Sequence, residues 1–128
     1  MIIGVGVDLV EVDRLRLSRH GERLLNRLFT LAERADCGTG PSRWPSLAAR
    51  FAAKEAVLKA LGTGLRGMTW QDIEIRRDAL GKPVTHLRGG AQARARAIGV
   101  GQVLVSLSHT REQAIAQAVA VQEEGETL

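Results

Sequence analysis

The chain has 128 residues, 45% of them hydrophobic and 25% charged, which is one domain's worth of globular protein, expected as a single domain over residues 1–128. A net charge of +4 suits an acidic partner, but aromatics make up only 3% and Tyr is absent, which argues against binding single strands by base stacking. The lone Cys37 excludes an internal disulfide and fits a reducing compartment. No apolar run is long enough to span a bilayer, and MIIGVGVDLVEV has neither a basic leader nor a small-residue cleavage site, so the expected location is the cytoplasm.

In chain order, IIGVGVDLV (2–10) is β-branched and apolar and reads as a strand. Its alternation puts Ile3, Val5, Val7 and Leu9 on one face and Gly4, Gly6, Asp8 and Val10 on the other. A helix is expected from about Val12 to Arg19, broken at Gly21, and ERLLNRLF continues as a second short one. Thr30 caps a third, with Glu33 at the capping-box position. CGTGPSRWP (37–45) reads as a loop by its Gly, Pro and Ser. A long central helix follows from about Ser46, its cap, to Leu61. WQDIEIRRD and PVTHLR form a hairpin around DALGKP, and GGAQARARAIG is a short helix between glycines. QVLVSLSH and QAIAQAVAVQE are closing strands, and the tail EEGETL reads as frayed. The order implies an α+β fold, an antiparallel sheet packed with helices.

The long helix carries the first chemical signal. On a wheel, Leu47, Phe51, Leu58 and Leu61 form one stripe and Ala49, Ala53, Ala56 and Ala60 the opposite face. A helix apolar on both sides is buried or sandwiched, yet this one carries Arg50, Lys54, Glu55 and Lys59. A Glu55–Lys59 surface pair is the plain reading. Against it stand the alanine face and the terminal LGTG, whose glycines allow a ligand to approach the backbone as well as capping the helix. Buried charge needs partners, and a diphosphate with a metal ion would satisfy both signs. Asp8 interrupts an apolar strand, and one Asp and one Glu can share a hard cation such as Mg2+; the plain alternative is a carboxylate capping the next helix. His109 in SLSHT is alone, and nothing local completes a Ser-His-Asp triad. The only lysines are Lys54, Lys59 and Lys82, in a chain that otherwise uses Arg.

Taken together, GVGVDLVEVDRL, FTLAE, LAARFAAKEAVLKALGTG, WQDIEIRRDALGKP and VSLSHT, in this order, resemble the holo-[acyl-carrier-protein] synthases, the short bacterial phosphopantetheinyl transferases. The resemblance covers nearly the whole chain; the loop at 37–45 and the last residues match least. It implies transfer of the phosphopantetheine arm of coenzyme A to a serine of an apo acyl carrier protein, with release of adenosine 3',5'-bisphosphate, and a homotrimer with active sites at subunit boundaries. By resemblance, Asp8 and Glu55 hold Mg2+, and Lys59 faces the diphosphate. Arg50, Lys54, Gly62, Gly64, Pro83 and His109 belong to the coenzyme A site. Glu55, or a water, takes the serine proton. Arg14, Arg23, Leu24 and Arg27 grip the acidic carrier, the last three across a one-residue gap after Gly21. Fatty-acid biosynthesis is the expected setting, with polyketide and peptide assembly as alternatives.

Two other readings compete. A basic nucleic-acid module would bind duplex with steep salt dependence, but no recognition motif accompanies the arginines. A non-catalytic coenzyme A or nucleotide binder would share every pocket residue, and only turnover separates it from a transferase.

Overall fold

The computed structural model describes residues 1–124, so the last four residues of the EEGETL tail lie outside the described residues. Strand β1 (Ile2–Glu11) leads into the short helices α1 (Asp13–Arg16), α2 (Gly21–Leu28) and α3 (Leu31–Cys37). The long α4 (Arg43–Ala60) is followed by a 3-10 turn (Trp70–Asp72) and the hairpin of β2 (Ile73–Arg77) and β3 (Pro83–Leu87). Helix α5 (Gly89–Ala97) and strands β4 (Val100–His109) and β5 (Gln113–Gln122) complete the order. The strands form an antiparallel three-stranded sheet, β1-β5-β4, and a separate antiparallel β2-β3 pair. This is the expected α+β architecture.

Helix α4 lies on the three-stranded sheet, and small residues let it come close. The inner face of β5 presents Ala114, Ala116, Ala118 and Ala120, all buried. On β1 the inner face carries Gly4, Gly6, Asp8 and Val10. A methyl group on Gly4 would sit 2.0 Å from the Ala60 carbonyl oxygen, and one on Gly6 2.0 Å from that of Ala56. The backbones therefore meet where no side chain fits. The outer face of β1 is the apolar one: Val5, Val7 and Leu9 are more than half exposed. Ile115 and Leu104 extend this patch across β5 and β4.

Several boundaries differ from expectation. Helix α4 begins at Arg43, not Ser46, because Pro45 sits in its first turn, where the missing N–H has no partner to lose. Ser46 is thus inside the helix, and its hydroxyl accepts from Arg50 rather than capping. The N-terminal helix stops at Arg16, and Gly21, at positive φ, opens α2 instead of only separating two helices. Trp70–Asp72 forms a capped 3-10 turn, so β2 starts later, at Ile73. The Thr30–Glu33 capping box is present as read.

Candidate active site

From Ser46 to Ala60 every residue is buried except Glu55 and Lys59. These two side chains, one turn apart, mark the only opening along the buried part of the helix. The close approach of β1 brings Asp8 to the same place. Lys59 Nζ donates to Asp8 Oδ1 at 3.1 Å and to the Val7 carbonyl at 2.9 Å. The Asp8 side chain is 12% exposed, and its Oδ2 is buried without a hydrogen-bond partner. Burial first, and the neighbouring Asp8 second, push the Glu55 carboxyl up to about 7, while Arg14 and Lys59 pull it down. Two residues 47 positions apart in sequence thus form one carboxylate pair.

This pair fits a hard cation. An unpartnered buried carboxylate oxygen and a carboxyl that resists ionisation both report negative charge lacking a counterion. Among the described residues no group of three or more His, Cys, Asp or Glu forms a metal cage. Mg2+ does not require one, since one or two carboxylates serve when phosphate oxygens and water complete the shell.

Beyond Lys59 the helix ends at Gly62, at positive φ, with Gly62 N donating to Lys59 O and Thr63 N to Leu58 O. Gly64 faces open space. The negative end of the helix dipole is met by Arg94 of α5, which donates to Leu61 O at 3.0 Å. Arg94 was not anticipated; nothing in an alanine-rich segment between glycines distinguishes it from Arg96.

Arg50, Pro83 and His109 come together at a different place. They line a cavity of about 470 Å³ with Ser46, Arg77 and Lys82, and no acidic residue lines it. Arg50 is only 3% exposed, donating to Ile75 O and Ser46 Oγ. His109 also borders a larger cavity, about 860 Å³, with Trp44, Arg16 and Arg111. Arg50 and Lys59 are nine positions apart on one helix, which turns them roughly 180° from each other and about 13 Å apart along the axis. Within one chain the carboxylate pair and the cationic cavity therefore open on opposite sides of α4.

Lys54, expected at the coenzyme A site, lies in neither place. It is fully buried, and its ammonium donates to Glu33 Oε1 at 2.8 Å, Trp70 O at 3.0 Å and Ile73 O at 2.6 Å. With three donors on three protein oxygens, none is left for a ligand. Burial lowers its pKa, and Glu33 works against that.

Of the residues expected to grip a carrier, Arg14 lies over the Phe51 ring at 5.3 Å and is close enough to act on Glu55. Arg23 is exposed, Leu24 packs partly against the core, and Arg27 rims a small cavity with Leu65, Met68 and Trp70. Arg14 on α1 and Arg23 and Arg27 on α2 are all exposed. No helix among the described residues is long and apolar enough to cross a membrane.

Two carboxylates beside a lysine, toward the end of a helix packed on an antiparallel sheet, are a charge set suited to phosphate-handling group transfer. The sequence matches the family described as the 4'-phosphopantetheinyl transferase superfamily over residues 4–119, and the chain belongs to that family. It is 53% identical over 123 residues to the holo-[acyl-carrier-protein] synthase of Desulforudis audaxviator, covering 94% of each chain. The crystal structure of the synthase from Neisseria meningitidis matches with a TM-score of 0.83 at 36% identity, over 95% of this chain and 100% of that one. That of the Bacillus anthracis synthase in complex with CoA (3',5'-ADP) matches with a TM-score of 0.79 at 33% identity, over 96% and 99%.

Proposed function

We propose that this chain transfers the phosphopantetheine arm of coenzyme A to a serine hydroxyl of an apo acyl carrier protein, using Mg2+ and releasing adenosine 3',5'-bisphosphate. Family membership supports the reaction class. The observation that carries the residue assignment is the meeting of Asp8, Glu55 and Lys59 at the single opening of α4. Asp8 and Glu55 would hold the Mg2+. When bound, the ion offsets diphosphate charge and stabilises charge developing on the leaving phosphate. Lys59 binds a diphosphate oxygen from the other side, and the Gly62 and Gly64 backbone lets the diphosphate lie close. Glu55 accepts the serine proton as the new phosphorus–oxygen bond forms and the anhydride bond breaks, the bridging oxygen leaving with the bisphosphate.

Arg50, Pro83 and His109 are the proposed nucleotide-side residues. Their cavity and the carboxylate pair face opposite ways, so one coenzyme A is best served by the carboxylates of one copy and the cavity of the next. The exposed Val5, Val7, Leu9 and Ile115 face supports such an assembly, proposed as a homotrimer. Arg14, Arg23 and Arg27, with Leu24, suit an acidic carrier docking along α1 and α2. The lone free Cys37, buried, supports the cytoplasm as the proposed setting. Incubation with coenzyme A, Mg2+ and apo carrier, read by intact mass, tests the reaction. Glu55→Gln is expected to fold and leave the carrier mass unchanged, whereas full arm transfer by that variant would remove Glu55 from the mechanism.

A further inference from the structure

The buried Lys54–Glu33 pair has no role in the site as described, and nothing about stability explains it. Fully buried ion pairs are commonly matched or bettered by apolar side chains of the same volume. Both partners here are 0% exposed, and both are fully engaged with protein groups. Glu33 Oε1 also accepts from Thr30 N, and its Oε2 accepts from Ile75 N, each at 2.9 Å. Together with the Lys54 bonds to Trp70 O and Ile73 O, the pair ties α3, α4, the 3-10 turn and β2 into one polar knot.

The sequence of α4 shows what such a knot supplies. A helix buried on nearly every side has no polar stripe to set its rotation, and the alanine face that meets Gly4 and Gly6 offers few knobs to resist turning. Yet its neighbours in sequence need a fixed rotation. Glu55 adjoins Lys54, and its carboxyl stands roughly 5 Å from the helix axis, so turning α4 by about 20° would displace it by roughly 2 Å relative to Asp8. Arg50, one turn back, donates to the carbonyl of Ile75, the same residue whose N–H Glu33 holds.

We propose that Lys54 and Glu33 are positioning residues for the transfer reaction: their buried pair sets the rotation of α4, and with it the Glu55 carboxylate against Asp8. The inference rests on the role proposed for Glu55. It places Lys54 in the machinery without contact to coenzyme A.

The test is the Glu33→Gln/Lys54→Met double variant, which removes both charges and so leaves no uncompensated ion. Glu33→Asp serves as the conservative variant, and Val103→Ala, a core truncation on β4, controls for lost stability. Steady-state transfer is measured with the carrier saturating, alongside melting temperatures. The expected result is a kcat lowered about 30-fold in the double variant and about 10-fold in Glu33→Asp, as for a catalytic group displaced by an ångström or so. KM for coenzyme A should stay within about threefold, and Val103→Ala should keep its kcat. Wild-type kcat in either folded variant, a rise in KM alone, or an equal loss in Val103→Ala would overturn the proposal. If the double variant does not fold, Glu33→Asp decides. Full activity in Glu55→Gln would refute the site reading itself; an inactive Glu55→Gln beside a fully active Glu33→Asp refutes only the positioning.

Discussion

Substituting Gly6 by Ala tests whether the approach of α4 to β1 creates the carboxylate pair. The new methyl would lie 2.0 Å from Ala56 O and 2.9 Å from Ala60 N, both backbone atoms that no rotamer change can move. Carbon and carbonyl oxygen need about 3.3 Å, so helix and strand must separate by roughly 1.3 Å. Overpacking of this kind costs about 1–3 kcal/mol, or roughly 4–12 °C in melting temperature for a domain of this size. The functional cost should be larger. Gly6 is two residues from Asp8 on the same strand face, and Ala56 follows Glu55, so the displacement falls on the pair itself. A misplacement of about 1 Å can cost 10²-fold in rate. Thermal melting and intact-mass kinetics on the same preparation read both effects. Wild-type melting with wild-type transfer would refute the claim that this contact sets the distance between Asp8 and Glu55.

The pH dependence of the metal-free protein follows from Glu55, whose carboxyl is raised from 4.5 to about 7. The folded chain prefers the protonated form, so this contribution is complete below about pH 4.5 and is lost as pH rises through 7; for a partly exposed group it amounts to about 1–2 kcal/mol after solvent screening. Glu22, Asp36 and Glu74 are shifted down, so they contribute above their unfolded values and act at the acid end. Melting in chelator should therefore fall between pH 5 and 8, recover with Mg2+, and be flat over that window in Glu55→Gln. Lys59→Ala should barely change stability, since a half-exposed pair with Asp8 contributes about 0.2–1 kcal/mol, but should lower kcat/KM for coenzyme A about 10–100-fold. If carboxylates and cavity act across a boundary, mixing inactive Asp8→Asn with inactive His109→Ala subunits should restore about a quarter of wild-type activity, the chance that a site draws its two halves from the complementary variants. No recovery after confirmed subunit exchange would place both halves in one chain.

Much of this site was legible before any coordinates. The glycine-and-Asp8 face of β1, the all-round apolarity of α4 and the capping box at Thr30 all follow from spacing. What spacing could not do was sort the four charges of α4. Lys54 is committed to the protein, on Glu33, Trp70 O and Ile73 O, whereas Arg50 spends two donors on Ile75 O and Ser46 Oγ and still lines the cationic cavity. Glu55 and Lys59 are open. A helical wheel gives angles around an axis, but which angle meets a carbonyl and which meets solvent depends on β2 and α3, tens of residues away. The capping box is the clearest case. Its local role for Glu33 is readable from the Thr30 spacing, whereas its bond to Lys54 closes only when the fold does. The same limit hid Pro45, which looks like a loop signal but is harmless in a first helical turn.

The placement of the cations around the end of α4 answers a difficulty that the sequence raises by itself. A diphosphate at LGTG would meet the negative end of a helix dipole, the wrong end for an anion. Arg94 donates to the Leu61 carbonyl, just past the helix end, and so offsets part of that field. Lys59 lies in the last turn and is held by Val7 O and one Asp8 oxygen, which leaves the other Asp8 oxygen and Glu55 unmatched. Lys59 and, more distantly, Arg14 face the two carboxyls, yet Glu55 still resists ionisation, because it is buried and because Asp8 lies beside it. A divalent ion held by Asp8 and Glu55 would favour the ionised Glu55 and would add positive charge on the side an anhydride would approach. With such an ion bound the helix terminus would no longer repel a diphosphate, so metal binding should precede productive coenzyme A binding. Calorimetry in chelator should accordingly show weak coenzyme A binding that tightens at least tenfold with Mg2+, and equal affinity in the two buffers would contradict that order.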